Sequence, residues 1–352
     1  MLPADTPASS LDQRNIATAI KDENVISTPQ FDEAELLTLI DRMLRTLPGG
    51  NGGKAKIRQV TQRQERYRGG YDAVATSVKP FYIQAKTSSF HSYKSSSEII
   101  SSRESIPLNT KPGVFTFYLR KHKGTDEPLQ HNALYWLSLR STAAYVCPTF
   151  VSENELDTRI DLAIVLKRHQ VWEYLNNDYT DASTGKTQSF FTRHFNGLIT
   201  IVPHRLVDHY LHRYSYDKST TPSIVFHSDP ESVGFAQPWN SFFNGLTNSS
   251  QSPDVTSENK VFQPVGIDTL RNIQLNWIDE AFDTEISGLM MKPSDVSQAL
   301  HSANLSNSTN FDRSTSAINY LRKLDGLDLS AFFGSFLKEK YSIHQNILFQ
   351  SE

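Results

Sequence analysis

The sequence predicts an α/β fold with a central mixed sheet flanked by helices, followed by a mixed, largely helical extension. Apolar residues recur at helical spacing in residues 31 to 47. Short apolar runs of strand length follow between residues 81 and 150, and one further helix pattern interrupts them. The chain has 352 residues, of which 38% are hydrophobic, so it can bury a substantial core as one elaborated domain or as two.

The first predicted helix covers residues 31 to 47. Its apolar side chains repeat every three or four positions: Leu36, Leu37, Ile40, Met43, Leu44 and Leu47. Pro48 and the two glycines after it end the pattern, because both residue types terminate helices. A polar, basic strand is then predicted at residues 56 to 68, and Asp72 stands at the head of another.

The clearest predicted strand is FYIQAK, residues 81 to 86, and we expect a turn at residues 77 to 80 to join it to the Asp72 strand. Pro80 is expected only at the start of the strand, because proline cannot donate a ladder hydrogen bond. The next elements are predicted as a strand at residues 114 to 121, a helix at 127 to 141 and a strand at 143 to 150.

Two segments of this half are predicted to be irregular. The serine-rich insertion at residues 92 to 105 is expected to be a mobile loop. Residues 1 to 26 are polar and weakly patterned, so we expect a flexible N-terminal arm.

The sequence beyond residue 152 is harder to interpret. Strands are predicted at residues 159 to 167 and 197 to 203, and helices at 169 to 176 and 204 to 214. A mainly helical part follows, with helices predicted at residues 267 to 282, 314 to 324 and 329 to 341.

Three polar residues around the predicted strand pair form a candidate site. Gln84 and Lys86 are two positions apart, so their side chains share one face of the strand, and the turn would bring Asp72 close to them. An aspartate carboxylate and a glutamine carbonyl are hard oxygen ligands of the kind that a phosphate-binding divalent cation needs. Lys86 adds a fixed positive charge.

The arrangement of Asp72, Gln84 and Lys86 resembles the PD-(D/E)XK, or restriction-endonuclease-like, nuclease superfamily, in the variant whose E-x-K element reads Q-x-K. The predicted order from Phe31 to Phe150, a helix, three strands, a helix and a strand, is similar to the core of that superfamily. The resemblance implies a nuclease core at residues 27 to 152. Residues 153 to 352 would then serve regulation, oligomerisation or partner binding.

The resemblance also implies metal-assisted hydrolysis of a phosphodiester. Asp72 and the Gln84 carbonyl would hold Mg²⁺ or Mn²⁺, and Lys86 would orient the attacking water or steady the phosphate. Members of the superfamily commonly supply a second acid from the first helix. Glu33 is our choice as a metal ligand because it lies one turn before Leu36 and Leu37, whereas Glu35 lies off that apolar stripe. Glu65 is a further candidate.

The predicted helix after the catalytic strands carries a second fragment of the pattern. Some branches of the superfamily have a glutamine and a tyrosine about one turn apart on this helix, facing the active centre. Gln130 and Tyr135 are five positions apart, whereas His131 and Tyr135 are four apart and stack more closely. Gln130, His131 and Tyr135 are therefore candidate substrate-binding residues.

Charge is consistent with a nucleic-acid substrate locally but not globally. A net charge of −3 argues against a protein that coats DNA nonspecifically. Between Lys54 and Arg68, however, six basic residues face only one acid, Glu65. Arg66 and Arg68 lead directly into Asp72, so they are candidate contacts to the phosphate backbone.

The cysteine count and hydropathy restrict the class of protein further. The single cysteine, Cys147, excludes an internal disulfide and a cysteine-rich zinc site, and its apolar surroundings predict a buried residue. No apolar run approaches the roughly 18 residues of a membrane helix, so we expect a soluble, cytoplasmic protein without membrane contact.

We therefore expect a Mg²⁺- or Mn²⁺-dependent DNA endonuclease. The resemblance implies a bacterial defence effector against phage or plasmid DNA, with a protein partner encoded nearby or assembly as a homo-oligomer. The alternative is a noncatalytic subunit that retains a nuclease-like fold to bind nucleic acid or to assemble with a partner, since Gln84 is neutral where an acid is usual.

Overall fold

The computed structural model describes most of the chain, and the described residues are 26–46, 55–59, 77–106, 108–119, 130–169, 178–180, 187–189, 197–208, 211–228, 230–239, 241–242, 246, 264–282, 289–305 and 310–350. They form an α/β structure. The helices are α1 (Glu33–Thr46), α2 (Glu98–Glu104), α3 (Gln130–Ser138), α4 (Glu153–His169), α5 (Ile267–Phe282), α6 (Pro293–Ser302), α7 (Ser314–Leu321) and α8 (Gly326–Tyr341).

The strands of the described residues belong to two six-stranded sheets and one two-stranded sheet. They are β1 (Ile26–Ser27), β2 (Ala55–Gln59), β3 (Ser77–Ala85), β4 (Ser89–Ser92), β5 (Gly113–Tyr118), β6 (Thr142–Pro148), β7 (Asp178–Thr180), β8 (Thr187–Ser189), β9 (Leu198–Ile201), β10 (Arg213–Asp217), β11 (Ser223–Phe226), β12 (Glu231–Phe235), β13 (Gln237–Pro238) and β14 (His344–Gln350).

The antiparallel sheet has the strand order β1-β4-β5-β10-β11-β12. The mixed sheet has the order β13-β9-β6-β3-β14-β2, in which β3 and β6 are parallel and the other neighbours are antiparallel. Helix α3 lies in the connection between β3 and β6, because a parallel pair requires a crossover. Strands β7 and β8 form the small sheet.

A large hydrophobic core lies between one face of the mixed sheet and the antiparallel sheet. Phe117 of β5 contacts Tyr145 of β6, with ring centroids 5.3 Å apart. The C-terminal helices complete this core, where Trp277 of α5 and Phe333 of α8 pack against Tyr82 of β3. Residues on both sides of position 152 therefore share one core.

The opposite face of the mixed sheet is covered by α1 and α4. Phe81 and Ile83 of β3 point to this face, as alternation along the strand requires. From α1 the apolar stripe supplies Leu36, Leu39, Ile40, Met43 and Leu44, all buried. The predicted helical periodicity of residues 31 to 47 is confirmed, and the two faces of β3 thus bury different sets of side chains.

Several other predicted elements are also confirmed. Strands β3, β6 and β9 contain the runs predicted at residues 81 to 86, 143 to 150 and 197 to 203, with ends that differ by a few residues. Helices α3, α5, α7 and α8 likewise lie within or around their predicted positions. None of the helices in the described ranges combines the length and the apolar character that crossing a bilayer requires.

The serine-rich insertion at residues 92 to 105 is not a loop throughout, and that prediction was wrong. Residues Glu98–Glu104 form α2, whose N-cap Ser97 accepts a hydrogen bond from the backbone N–H of Ile100. Ile99 and Ile100 pack against Val114 of β5. Helix α2 is therefore fixed to the outer face of the antiparallel sheet, although its sequence contains few apolar residues.

Two predictions between residues 153 and 214 were also wrong. The apolar run at 159 to 167 lies in α4, not in a strand, because Leu156, Ile160 and Ala163 fall on one helical face with acidic residues in the first turn. The segment predicted as a helix at 204 to 214 contains the start of β10, and residues 204 to 208 are not helical. The helix predicted at 169 to 176 lies outside the described residues beyond His169.

The predicted turn at residues 77 to 80 is part of β3, so Pro80 is the fourth residue of that strand. Pro80 pairs with Ile347 of β14 on one side. On the other side of β3, Val78 forms a bridge with Val265, and pairing with β6 begins at Phe81 and Thr142. Pro80 lies between these two pairs and has no ladder partner on that side among the described residues. No strand needs the missing proline N–H at this gap, and this explains why the strand continues through Pro80.

Strand β14 was not predicted, and it changes the neighbours of the Q-x-K strand. It pairs with β3 on one side and β2 on the other, so β3 lies between β14 and β6. The strand expected to begin at Asp72 lies outside the described residues, and the described ladder partners of β3 are β14 and β6. The strand predicted at residues 114 to 121 is confirmed as β5, but it belongs to the antiparallel sheet and not to the sheet that contains β3.

Candidate functional site

Lys86 lies at the carboxyl end of β3, where its backbone N–H donates to the carbonyl of Val146 in β6. Its Nζ is 3.2 Å from Oε1 of Glu33, the first residue of α1. The Lys86 side chain is 7% exposed and that of Glu33 is 27% exposed. The end of the Q-x-K strand and the start of the first helix thus meet through a largely buried ion pair.

The start of α1 fixes the position of Glu33. Asp32 Oδ1 accepts hydrogen bonds from the backbone N–H groups of Ala34 and Glu35, and Glu35 Oε2 accepts from the N–H of Asp32. This reciprocal cap uses the Glu35 carboxylate. Of the acids considered for the site, two lie on α1, and the structure places Glu33 against Lys86 and Glu35 at the helix cap.

Gln84 is fully buried and precedes Lys86 by two residues. Its Nε2 donates to Oε1 of Gln130, at 2.8 Å, and to the backbone carbonyl of Tyr341, at 3.1 Å. A backbone carbonyl can only accept, so the atom that faces Tyr341 must be the amide nitrogen. The orientation of the Gln84 amide is thereby determined.

The Gln84 carbonyl oxygen has no hydrogen-bond partner among the described residues, although it is buried. Buried polar atoms are normally satisfied, because an unpaired one costs about 1–3 kcal/mol. An oxygen acceptor with free lone pairs is a suitable ligand for Mg²⁺ or Mn²⁺. The Gln84 carbonyl oxygen and the Glu33 carboxylate are both oxygen donors of this kind.

The structure brings Gln130 to this site but directs His131 elsewhere. Nε2 of His131 donates to the carbonyl of Arg205, at 2.7 Å, so Nδ1 accepts from the Tyr145 hydroxyl, at 2.9 Å. Burial lowers the pKa of His131 to about 3, which keeps the ring neutral. Both ring nitrogens are used within the fold, and neither is free for a phosphate.

His131 instead supports the strand beside Gln84. Tyr145, which bonds His131, is the register partner of Gln84 across the parallel ladder. Tyr135 is partly exposed and lies five positions from Gln130, about 140° around α3. Of the three residues considered on this helix, Gln130 is the one that contacts a predicted catalytic residue.

Cys147 of β6 is buried, as predicted from the sequence, and it lies near the ion pair of Lys86 and Glu33. Burial raises the pKa of its thiol, with an opposing effect from Lys86 and a reinforcing one from Glu33. Burial likewise raises the pKa of Tyr145. These two groups remain neutral at pH 7, whereas Glu33 and Lys86 form an ion pair at the end of β3.

The remaining predicted site residues, Asp72, Arg66 and Arg68, lie outside the described residues, as does the alternative acid Glu65. Strand β2 ends at Gln59, before that segment, and β3 begins at Ser77, after it. Within the described ranges, no three His, Cys, Asp or Glu side chains are grouped as a metal site. Among the described residues considered for the site, two contacts are formed, Lys86 with Glu33 and Gln84 with Gln130.

One contributor to the environment of Gln84 was not predicted from the sequence. The carbonyl of Tyr341 comes from the end of α8, which is 257 residues from Gln84 in the chain. The periodicity of α8 predicted the helix but carried no signal of where its end would lie.

Comparisons of the chain with protein-family models, with curated proteins and with solved structures found no match.

Proposed function

We propose that the chain is a Mg²⁺- or Mn²⁺-dependent endonuclease that hydrolyses phosphodiester bonds of DNA. One observation carries the proposal: the Gln84 carbonyl oxygen is buried without a hydrogen-bond partner among the described residues. Gln84 precedes Lys86 by two residues, and Lys86 pairs with Glu33 at the start of α1. A cation ligand and a positive charge for the phosphate would thus be supplied by neighbouring positions. The Q-x-K resemblance supports the same assignment.

Each residue has a defined part in the proposed mechanism. Oε1 of Gln84 and the carboxylate of Glu33 would hold the cation, together with Asp72 from the sequence motif. When bound, the cation supplies a nucleophilic water at neutral pH and neutralises charge on the phosphate. Lys86 orients that water or steadies the developing charge on the phosphoryl oxygens.

The surrounding residues keep this geometry fixed. Glu33 holds the Lys86 ammonium in place, and Gln130 holds the Gln84 amide. His131 bonds Tyr145, which is the ladder partner of Gln84, and this limits movement of β6 against β3. Arg66 and Arg68 would attract the DNA backbone without reading its sequence.

The biological part of the proposal rests on the family resemblance. A nuclease of this type would act in the bacterial cytoplasm as a defence effector against phage or plasmid DNA. The chain would assemble as a homo-oligomer or with a protein partner encoded nearby. The region after residue 152 would then restrain or direct the activity.

A noncatalytic subunit is the second candidate, and one observation favours it. Both amide hydrogens of Gln84 are used within the fold, and the Lys86 ammonium is already paired with Glu33. Such a site could be purely structural. The protein would then bind nucleic acid or a partner without hydrolysing a phosphodiester.

Cleavage of plasmid and linear DNA by the purified chain tests the proposal. We expect nicking with Mg²⁺ or Mn²⁺, none with EDTA, and none in Lys86→Ala. The matched control is Lys111→Ala, because this lysine is exposed and its loss removes the same charge away from the site. Cleavage that persists in Lys86→Ala would disprove the assignment of the site.

Thermal unfolding with and without the cation separates the two candidates. We expect Mn²⁺ to raise the Tm of the natural protein and to have no such effect on Asp72→Ala, since a ligand stabilises the state that binds it. A folded protein that neither cleaves DNA nor gains stability from the cation would be the noncatalytic subunit.

A further inference from the structure

The end of α8 faces the candidate site through a single carbonyl. Tyr341 is the last residue of the helix, and the next residue, Ser342, has a left-handed backbone with φ 53°. The N–H groups of Ser342 and Ile343 satisfy the carbonyls of Lys338 and Leu337. The Tyr341 carbonyl is instead satisfied by the side chain of Gln84.

The environment of residue 84 discriminates between an amide and a carboxylate. A glutamate would present only acceptor oxygens to the Tyr341 carbonyl, which is also an acceptor. It would also place a negative charge at the carboxyl end of a helix, where the helix dipole is unfavourable to anions. Gln130 could rotate its amide and donate a hydrogen bond to a glutamate. The Tyr341 backbone carbonyl has no hydrogen to donate, so its contact with a glutamate would remain unfavourable.

We infer that the Tyr341 carbonyl and Gln130 select an uncharged amide at position 84 and direct its oxygen into the candidate site. Tyr341 and Gln130 are thus positioning residues. The neutral ligand is a consequence of how α8 ends against β3. It does not indicate an acid that has been lost together with cation binding.

The inference rests on the proposed function only for the role of the Gln84 oxygen as a cation ligand. The clamp itself is defined by two hydrogen bonds and the burial of Gln84. It also explains how residues after position 152 contribute to the site. Helix α8 would set the chemical nature of a ligand that β3 carries.

Hydrogen exchange of the Gln84 side-chain amide tests the clamp in the natural protein. With the glutamines labelled with ¹⁵N, we expect both Gln84 amide hydrogens to exchange at least about tenfold more slowly than those of a free glutamine. Gln130→Leu should accelerate one of them and leave the other protected by Tyr341. Exchange of both hydrogens at the free rate would overturn the inference.

Two substitutions of similar size test the selection. Gln84→Met and Gln84→Glu both remove the amide, but only the second places acceptor oxygens against the Tyr341 carbonyl. We expect Gln84→Glu to have the lower Tm, and we expect Gln130→Lys in that background to restore part of the loss by donating to the new carboxylate. Equal stability of Gln84→Glu and the natural protein would overturn the selection.

Addition of Mn²⁺ to the labelled natural protein distinguishes the clamp from the proposed function. Paramagnetic broadening of the Gln84 amide signals that weakens in Gln130→Leu would show that the clamp positions a cation ligand. Protected amide hydrogens without any broadening would leave the clamp intact and contradict the metal assignment. Broadening of amide signals that exchange freely would support a metal site and overturn the clamp.

Discussion

The Lys86 ammonium lies 3.2 Å from Glu33, and this contact joins the end of β3 to the start of α1. The lysine is the more buried partner, with a side chain that is 7% exposed against 27% for the glutamate. Loss of the glutamate would therefore leave the less solvated charge without its partner.

We predict that Glu33→Gln is more destabilising than Lys86→Met, at about 2 kcal/mol against about 1 kcal/mol. Urea unfolding of both single variants and the double variant would measure these costs and a coupling of about 1 kcal/mol between the two residues. Glu35→Gln is the control for loss of an acid in the same helical turn. Strictly additive single effects would contradict an energetic role for the pair.

Arg103, in the last turn of α2, should be among the residues most sensitive to substitution. Its side chain is fully buried against the antiparallel sheet, with Nη2 3.3 Å from Asp217 and 2.7 Å from the Ser223 hydroxyl. Removing the guanidinium leaves a largely buried carboxylate without its cation. We predict a cost of about 3–5 kcal/mol for Arg103→Met in urea unfolding.

Arg103→Lys should recover only part of that stability, because an ammonium cannot reproduce the planar set of donors that reaches Ser215, Asp217 and Ser223 together. Lys218→Met is the control, since Lys218 is exposed beside Asp217. A change below 1 kcal/mol for Arg103→Met would be inconsistent with the buried network.

The protein should lose stability as the pH falls below about 6.5. Burial holds the pKa of His131 at about 3 and that of His227 and His344 at about 4. Each folded-state pKa lies below the unfolded value, so the unfolded chain takes up protons first as the pH falls. Stability from the neutral rings is thus present above the unfolded pKa and decreases down to the folded pKa.

We predict that His131→Gln reduces the fall in Tm between pH 7 and pH 5, because glutamine can bond Arg205 and Tyr145 without titrating. His301→Gln provides the control, as His301 is exposed. Thermal unfolding of the natural protein and of both variants at pH 7 and at pH 5 measures the fall in Tm of each. An unchanged fall in His131→Gln would assign the acid sensitivity to other groups.

Ser342 adopts a left-handed backbone conformation that favours glycine, with φ 53°. Replacing it with glycine removes the steric cost of the side chain at the end of α8. We predict that Ser342→Gly raises the stability by about 0.5–1 kcal/mol in urea unfolding. Asn304→Gly provides a comparison, because Asn304 has φ 57°. This substitution should raise the stability less, since asparagine tolerates the left-handed region better than serine.

Local sequence signals predicted the elements whose burial is regular along the chain. The stripe of α1 predicted both the helix and the inward position of Glu33, one turn before Leu36. The apolar run of α4 was misread as a strand, because periodicity alone does not distinguish short apolar runs of the two types. The few apolar residues of α2 gave no indication that Arg103 would be bonded to Asp217, 114 positions away.

The candidate site was predictable only where its residues are close in sequence. Gln84 and Lys86 are two positions apart at the end of β3, so alternation predicts one face for both, but their contacts to other elements were not predictable. The meeting of Gln84 with Gln130 depends on the crossover that makes β3 and β6 parallel, and the contact with Tyr341 depends on where β14 enters the sheet. Such tertiary arrangements leave no periodic trace in the sequence.

Strand β14 lies between β3 and β2 in the mixed sheet, although it is the last strand of the described chain to be synthesised. Strand β3 leaves the ribosome roughly 13–50 s before β14 at ordinary elongation rates. Until then one side of β3 has no ladder partner, and Gln84 lacks the carbonyl that ends α8. A nascent chain therefore carries the Q-x-K strand without a finished site, and any hydrolytic activity must wait for residues 341 to 350 to be made and inserted.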